Sequence, residues 1–174
     1  SGHNILAVTF TNKAAQEMKD RVRRMTDAHV LTCTFHSLSA RILREAIHFL
    51  GYRRDFTIYD ETDSEKLLKT CLNALNYSEK KDLKRIKHAI SKAKNDLLEP
   101  DEPDVKPLYI LYQEKLKEYN ALDFDDLIFL TVKLFKEHPE VLKVYSERWH
   151  YILVDEYQDT NAAQYTLTKL LAGK

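Results

Sequence analysis

Glycine is scarce in this chain, with three in 174 residues, at Gly2, Gly51 and Gly173, and none lies in a G-x-x-x-x-G-K-S/T pattern. The sequence therefore holds no glycine-rich loop of the kind that cradles phosphate oxygens in backbone N–H groups. Cysteine is rarer still. Cys33 and Cys71 lie far apart, without CxxC or metal-type histidine spacing, which argues against a zinc site or a disulfide framework. Each sits on an apolar stretch and reads as a buried thiol in a reducing compartment. No apolar run approaches the ~20 residues that span a bilayer, and no signal-peptide pattern opens the chain. A soluble intracellular protein with no membrane partner is expected. Net charge is absent too: 27 Lys/Arg balance 27 Asp/Glu, so bulk charge selects no partner.

What is present is a globular composition, 44% hydrophobic and 31% charged, with length for one domain or one domain carrying an insertion. Charge is uneven along the chain. Residues 1–54 hold nine Lys/Arg against four acids, which suits phosphate contact or a solvated helix face. Asn4–Phe10 and Val30–Thr34 read as short buried strands, each running through a polar turn into a helix over Lys13–Met25 and from Ser37 onward. Thr11 and Ser37 are candidate caps. Strand, turn, helix, repeated, is the grammar of a parallel α/β sheet.

From Phe56 to Asn120 that grammar gives way to helices, with only Phe56–Tyr59 as a short strand. Thr62 or Asp63 is the expected cap of a helix carrying Leu67, Leu68, Cys71, Leu72 and Leu75. A second helix, about 80–98, places Leu83, Ile86, Ile90, Ala93 and Leu97 on one stripe and Lys81, Arg85, His88 and Lys92 opposite. That basic face reads as solvated surface or as a contact with duplex DNA. The Glu99-Pro100-Asp101-Glu102-Pro103 break precedes a third helix over 108–119. A helix over 124–137 and a short one after Pro139 lead to the apolar run Tyr151–Val154, which ends abruptly in Asp155 and Glu156. Asn161 or Thr160 then caps a last helix through Leu171.

Three strand ends thus open into distinctive turns: TFTNKAA from Thr9, TFHS from Thr34, and DEYQD from Asp155. Singly, each has a plain structural explanation, with Thr and Ser as caps, Phe10 and Phe35 as core aromatics, and His36 as a polar turn residue. Paired acids at the carboxyl end of a parallel strand suit a nucleoside triphosphatase. One carboxylate holds Mg²⁺ and its neighbour orients or deprotonates the attacking water.

Together and in this order the segments resemble the UvrD/Rep/PcrA type of superfamily 1 DNA helicases. TFTNKAA is similar to that family's motif Ia, TFHS to motif Ib, and VDEYQDTN to its Walker B element, motif II. Asp123-Phe124-Asp125-Asp126-Leu127 is similar to the DFDDL segment that re-enters the core. The resemblance implies a partial RecA-like P-loop NTPase domain of the α/β class, interrupted by an all-α insertion. Residues 1–55 and 121–174 would form the motor and 56–120 the insertion. It further implies ATP hydrolysis with Mg²⁺, coupled to 3′→5′ translocation on single-stranded DNA and unwinding at single/double-strand junctions. The setting would be bacterial DNA repair or replication, in the cytoplasm and on the nucleoid.

Carried over by residue, Asp155 would hold Mg²⁺ through water, and Glu156 would be the general base. Gln158 and Asp159 would relay between nucleotide and DNA. Phe10 would stack on a base, with Thr11, Asn12, Thr34, Phe35 and His36 near the DNA. The missing phosphate loop implies a segment starting after that loop's helix and ending after the motif II helix. Such a segment is expected to be inactive by itself and to self-associate through an open sheet edge. A helicase–nuclease of the AddA/RecB type and a non-catalytic helical interaction module stand as alternatives.

Overall fold

The computed structural model describes residues 1–77 and 83–173. Its centre is a three-stranded parallel sheet ordered β2-β1-β5, made of β1 (Ile5–Thr9), β2 (Leu31–Thr34) and β5 (Tyr151–Val154). Leu6 pairs with Leu31 on one side and Ile152 on the other; Thr9 pairs with Thr34, and Val8 with Val154. β1 is flanked on both sides, and Leu6, Ala7, Val8 and Thr9 are buried. This is why it reads as an unbroken apolar run rather than an alternating one.

α1 (Asn12–Met25) connects β1 to β2 and packs on both strands. Its cap is Thr11, whose hydroxyl accepts from the Ala14 N–H at 3.1 Å. α2 (Phe35–Ala46) follows β2 directly. Its cap is Thr34, one turn earlier than the Ser37 expected from sequence, because the Thr34 hydroxyl accepts from the Ser37 N–H. On the other sheet face, α2, α6 (Phe124–Glu137) and α8 (Ala162–Leu171) bury Leu38, Ile42, Leu127, Ile128 and Leu167 with Leu6 and Val8. α7 (Pro139–Arg148) completes this layer.

A second apolar cluster lies apart from the first. α3 (Glu61–Ala74), α4 (Leu83–Asn95) and α5 (Lys106–Glu118) contribute Leu68, Cys71, Ile86, Ile90, Leu108 and Tyr112. At its neck, β3 (Thr57–Ile58) pairs in parallel with β4 (Ala121–Leu122), tying the segment's entry to its exit. Sequence periodicity missed β4, since two residues carry no period. The α3 cap is Asp60 rather than Thr62 or Asp63: Asp60 and Asp63 exchange side-chain-to-backbone bonds in a capping box.

α4 stops at Asn95, short of the expected 98, because Leu97 adopts φ 57° and the Leu98 N–H turns back to the Ala93 carbonyl. The proposed start of that helix at Lys80, and Lys81 on its basic face, lie outside the described residues. α6 runs over the expected 124–137 and opens with a second capping box, between Asp123 and Asp126. A third, between Asn161 and Gln164, opens α8 and selects Asn161 over Thr160 as its cap.

Candidate functional site on the rim of the parallel sheet

Parallel pairing in this register brings the carboxyl ends of β1, β2 and β5 to one rim, from which Phe10, His36 and Asp155 emerge on neighbouring elements. The Asp155 N–H donates to the Val8 carbonyl at 3.1 Å, so the ladder extends one residue past β5 and fixes the first acid beside β1. Glu156 follows with φ 50° and ψ 44°, a left-handed conformation unusual for a non-glycine residue. That geometry costs on the order of 1–2 kcal/mol, and strained residues of this kind cluster at functional sites. A 3-10 turn over Tyr157–Asp159 succeeds it, closed by the Asp159 N–H on the Glu156 carbonyl at 2.9 Å. Asp155, Glu156, Gln158 and Asp159 are all exposed.

Among the described residues, no three His, Cys, Asp or Glu side chains gather to hold a metal ion by themselves. Mg²⁺ needs no such cage, since it is usually bound by one or two carboxylates together with waters and substrate phosphates. The open, hard-oxygen carboxylate of Asp155 fits that mode.

The other part of the rim is aromatic. Phe10 is half-buried and tilts against Phe35, ring centroids 5.5 Å apart. Phe35, expected near the DNA, is instead only 2% exposed and belongs to the core, where its ring packs away from the surface. Thr34 is buried as well. Its hydroxyl accepts from the Ser37 N–H and lies 3.0 Å from the Ser37 hydroxyl, uses that make it a helix cap and draw it away from any DNA backbone. Thr11 and Asn12 are exposed at the first turn of α1, whose free N–H groups face the rim.

His36 stacks face to face on Phe124, centroids 3.9 Å apart and planes 12° apart. Burial pushes its imidazole down to about 4, so the ring is neutral at physiological pH. Phe124, 57% exposed, is the rim aromatic that sequence reasoning passed over. Its signal was the DFDDL segment itself, read there only as a point of re-entry.

The UvrD/REP helicase N-terminal domain profile matches residues 1–174. The chain belongs to this helicase family. The ATP-dependent DNA helicase PcrA of Staphylococcus aureus is 46% identical over 188 aligned positions, which cover 100% of this chain and 26% of the relative. PcrA of Staphylococcus epidermidis matches with the same identity and coverage. The chain thus spans about a quarter of the length of these relatives.

Within this UvrD/REP domain the basic face of α4 is largely occupied by its own neighbours. Arg85 pairs with Asp104, and Lys92 with Asp96 at 2.6 Å. Intramolecular pairing favours the solvated-surface reading over a duplex contact. Cys33 is half-buried and Cys71 buried, both as free thiols, and burial raises the Cys33 thiol to about 11. No helix among the described residues is long and apolar enough to cross a membrane.

Proposed function

We propose that this chain supplies the DNA-gripping and water-activating parts of an ATP-dependent helicase motor that travels along single-stranded DNA. One observation carries the reading. An aromatic platform and a pair of carboxylates stand on the adjoining ends of three parallel strands of a UvrD/REP domain. Sheets of this class bind ligands at their carboxyl edge.

When bound, Mg²⁺ would neutralise phosphate charge and polarise the terminal phosphoryl group. Asp155 is the residue that would hold it. Glu156, exposed and directly after Asp155, takes the proton of the attacking water. Gln158, in the succeeding turn, orients that water or reports its loss to the rest of the rim. On the DNA side, Phe10, Phe124 and His36 offer π-surfaces, a sequence-tolerant grip of about 1–3 kcal/mol per base. Thr11 and Asn12, at the start of α1, meet phosphate oxygens with backbone N–H groups and side chains. A motor must hold DNA without reading it, and these groups do that.

Residues 56–120 act as an inserted module, supported by their separate apolar cluster and by the β3–β4 neck that closes it. The 3′→5′ direction, action at single/double-strand junctions and a place on the bacterial nucleoid are what the resemblance of the three turns to superfamily 1 helicases implies. Family membership and the shared rim favour this reading over a non-catalytic helical module.

The deciding experiment is steady-state ATP turnover by the full-length protein, with and without single-stranded DNA. Turnover that rises with DNA in wild type and vanishes in Glu156→Gln supports the motor; turnover indifferent to DNA or to Glu156 ends it. Purified alone, the present chain should show no turnover, since it has no phosphate-cradling loop.

A further inference from the structure

Lys94 is the one described lysine with no solvent exposure, and nothing in the proposed chemistry uses it. Its ammonium lies 2.6 Å from Asp123 Oδ2 and 2.9 Å from Asp126 Oδ1. Desolvating a lysine costs several kcal/mol, and a buried ion pair is often no more stable than apolar side chains of equal volume. Folding energy alone therefore does not explain Lys94. What the pair does fix is geometry.

Asp123 and Asp126 are the N-cap and third residue of α6, with Phe124 between them. Every carboxylate oxygen of the two is engaged. Asp123 Oδ1 accepts from the Asp126 N–H at 2.9 Å, and Oδ2 accepts from the Tyr112 hydroxyl at 2.9 Å as well as from Lys94. Asp126 Oδ2 accepts from the Asp123 N–H at 3.1 Å, and Oδ1 accepts from Gln113 Nε2 at 3.2 Å. Lys94 comes from α4 in the inserted module, and Tyr112 and Gln113 come from α5 beside it. Ser91 and Asn95, on the same turn of α4, lie close enough to Asp125 to pull its carboxyl down against the burial that raises it, and the Asn95 amide donates to the Ser91 hydroxyl at 3.5 Å. Asn95 further accepts from Asn161 at 3.4 Å, the cap of α8 just beyond the acid turn.

We propose that the carboxyl end of α4 is a positioning element for the motor, in which Lys94 locks the start of α6 so that Phe124 is held against His36. The inserted module thereby sets the DNA-gripping rim, and its contact with Asn161 places the same helix end beside the acid-bearing turn. This rests on the reading of Phe124 and His36 as a DNA platform.

The test is a double-mutant cycle in the full-length protein, reading the single-stranded DNA concentration at half-maximal ATPase stimulation. Lys94→Met should raise that concentration about tenfold, the loss of one base-stacking contact, while DNA-free turnover and the KM for ATP stay unchanged. Phe124→Ala should raise it similarly, and the two together should do little more than either alone. A wild-type DNA requirement in Lys94→Met, or effects that simply multiply, overturns the proposal. Should Lys94→Met fail to fold, the Ser91→Ala/Asn95→Ala protein enters the same cycle under the same criteria. Absence of DNA stimulation in wild type would instead refute the motor reading and leave Lys94 as a packing feature.

Discussion

His36 and Phe124 lie nearly parallel, rings 3.9 Å apart, although one follows β2 and the other opens a helix on the far side of the inserted module. The stack makes the entry to α2 and the entry to α6 one surface. Phe124 is still 57% exposed in that stack. Phe124→Ala should therefore weaken single-stranded DNA binding by the full-length protein by about 1–3 kcal/mol. Fluorescence anisotropy over a salt series measures this, and an unchanged affinity would remove Phe124 from the interface.

Glu156 combines a strained backbone with a proposed catalytic carboxylate. Glu156→Gly should relieve the left-handed strain and raise stability by on the order of 1 kcal/mol. It should lower ATP turnover by roughly 10²–10⁴. Thermal melting and ATPase assays on the same preparation test the trade. A variant that is no more stable, or one that still turns over ATP, contradicts it.

Removing only one member of the buried Lys94 set leaves charge without a partner. Lys94→Ala should cost about 3–5 kcal/mol, while Lys94→Met combined with Asp123→Asn and Asp126→Leu should recover most of that loss. Urea unfolding of the three proteins distinguishes the cases. If the triple variant is as unstable as Lys94→Ala, the set contributes by packing and not by charge.

Two carboxylates sharing one ammonium also predict a pH dependence. Burial, then the neighbouring Asp123 carboxylate, push Asp126 up to about 6 from an ordinary 3.8, with Lys94 pulling the other way. Between those values the folded chain keeps a proton that the unfolded chain has released. The stability contributed by Asp126 is therefore full below 3.8 and is lost as pH rises through about 6. Asp123 behaves oppositely. Burial opposes its ionisation, but Lys94 outweighs it and holds the carboxyl below its usual range, so its contribution disappears only in stronger acid. Asp126→Asn should flatten the decline in urea midpoint between roughly pH 4 and pH 7. Matching profiles for variant and wild type would count against the assignment.

β5 has β1 on one side, and on one face Tyr151 is 67% and Leu153 59% exposed. Such an edge invites pairing with another chain. The isolated chain should show a concentration-dependent sedimentation coefficient, and Leu153→Lys should suppress it. A monomer at every concentration would dismiss the edge as a contact.

Sequence alone determined the local elements and their order. β1, β2 and β5 are legible as short apolar runs, but only β1, paired on both sides, is buried along its length, whereas β5 leaves Tyr151 and Leu153 exposed. α1 and α8 are legible from their caps and α6 from its apolar residues, and the three turns carry their chemistry in consecutive residues. Tertiary structure decided what depends on distant partners. It paired β3 with β4, and it moved the α2 and α3 caps to Thr34 and Asp60, where hydroxyl or carboxylate meets a free N–H. Phe35 went into the core and Phe124 into the open, a distinction that two phenylalanines following strand ends cannot show. It also buried Lys94, an unremarkable lysine on an amphipathic helix until α6 supplies two carboxylates from across the neck. Burial and charge pairing are properties of the assembled chain, because desolvation depends on what surrounds a group and not on what precedes it in sequence.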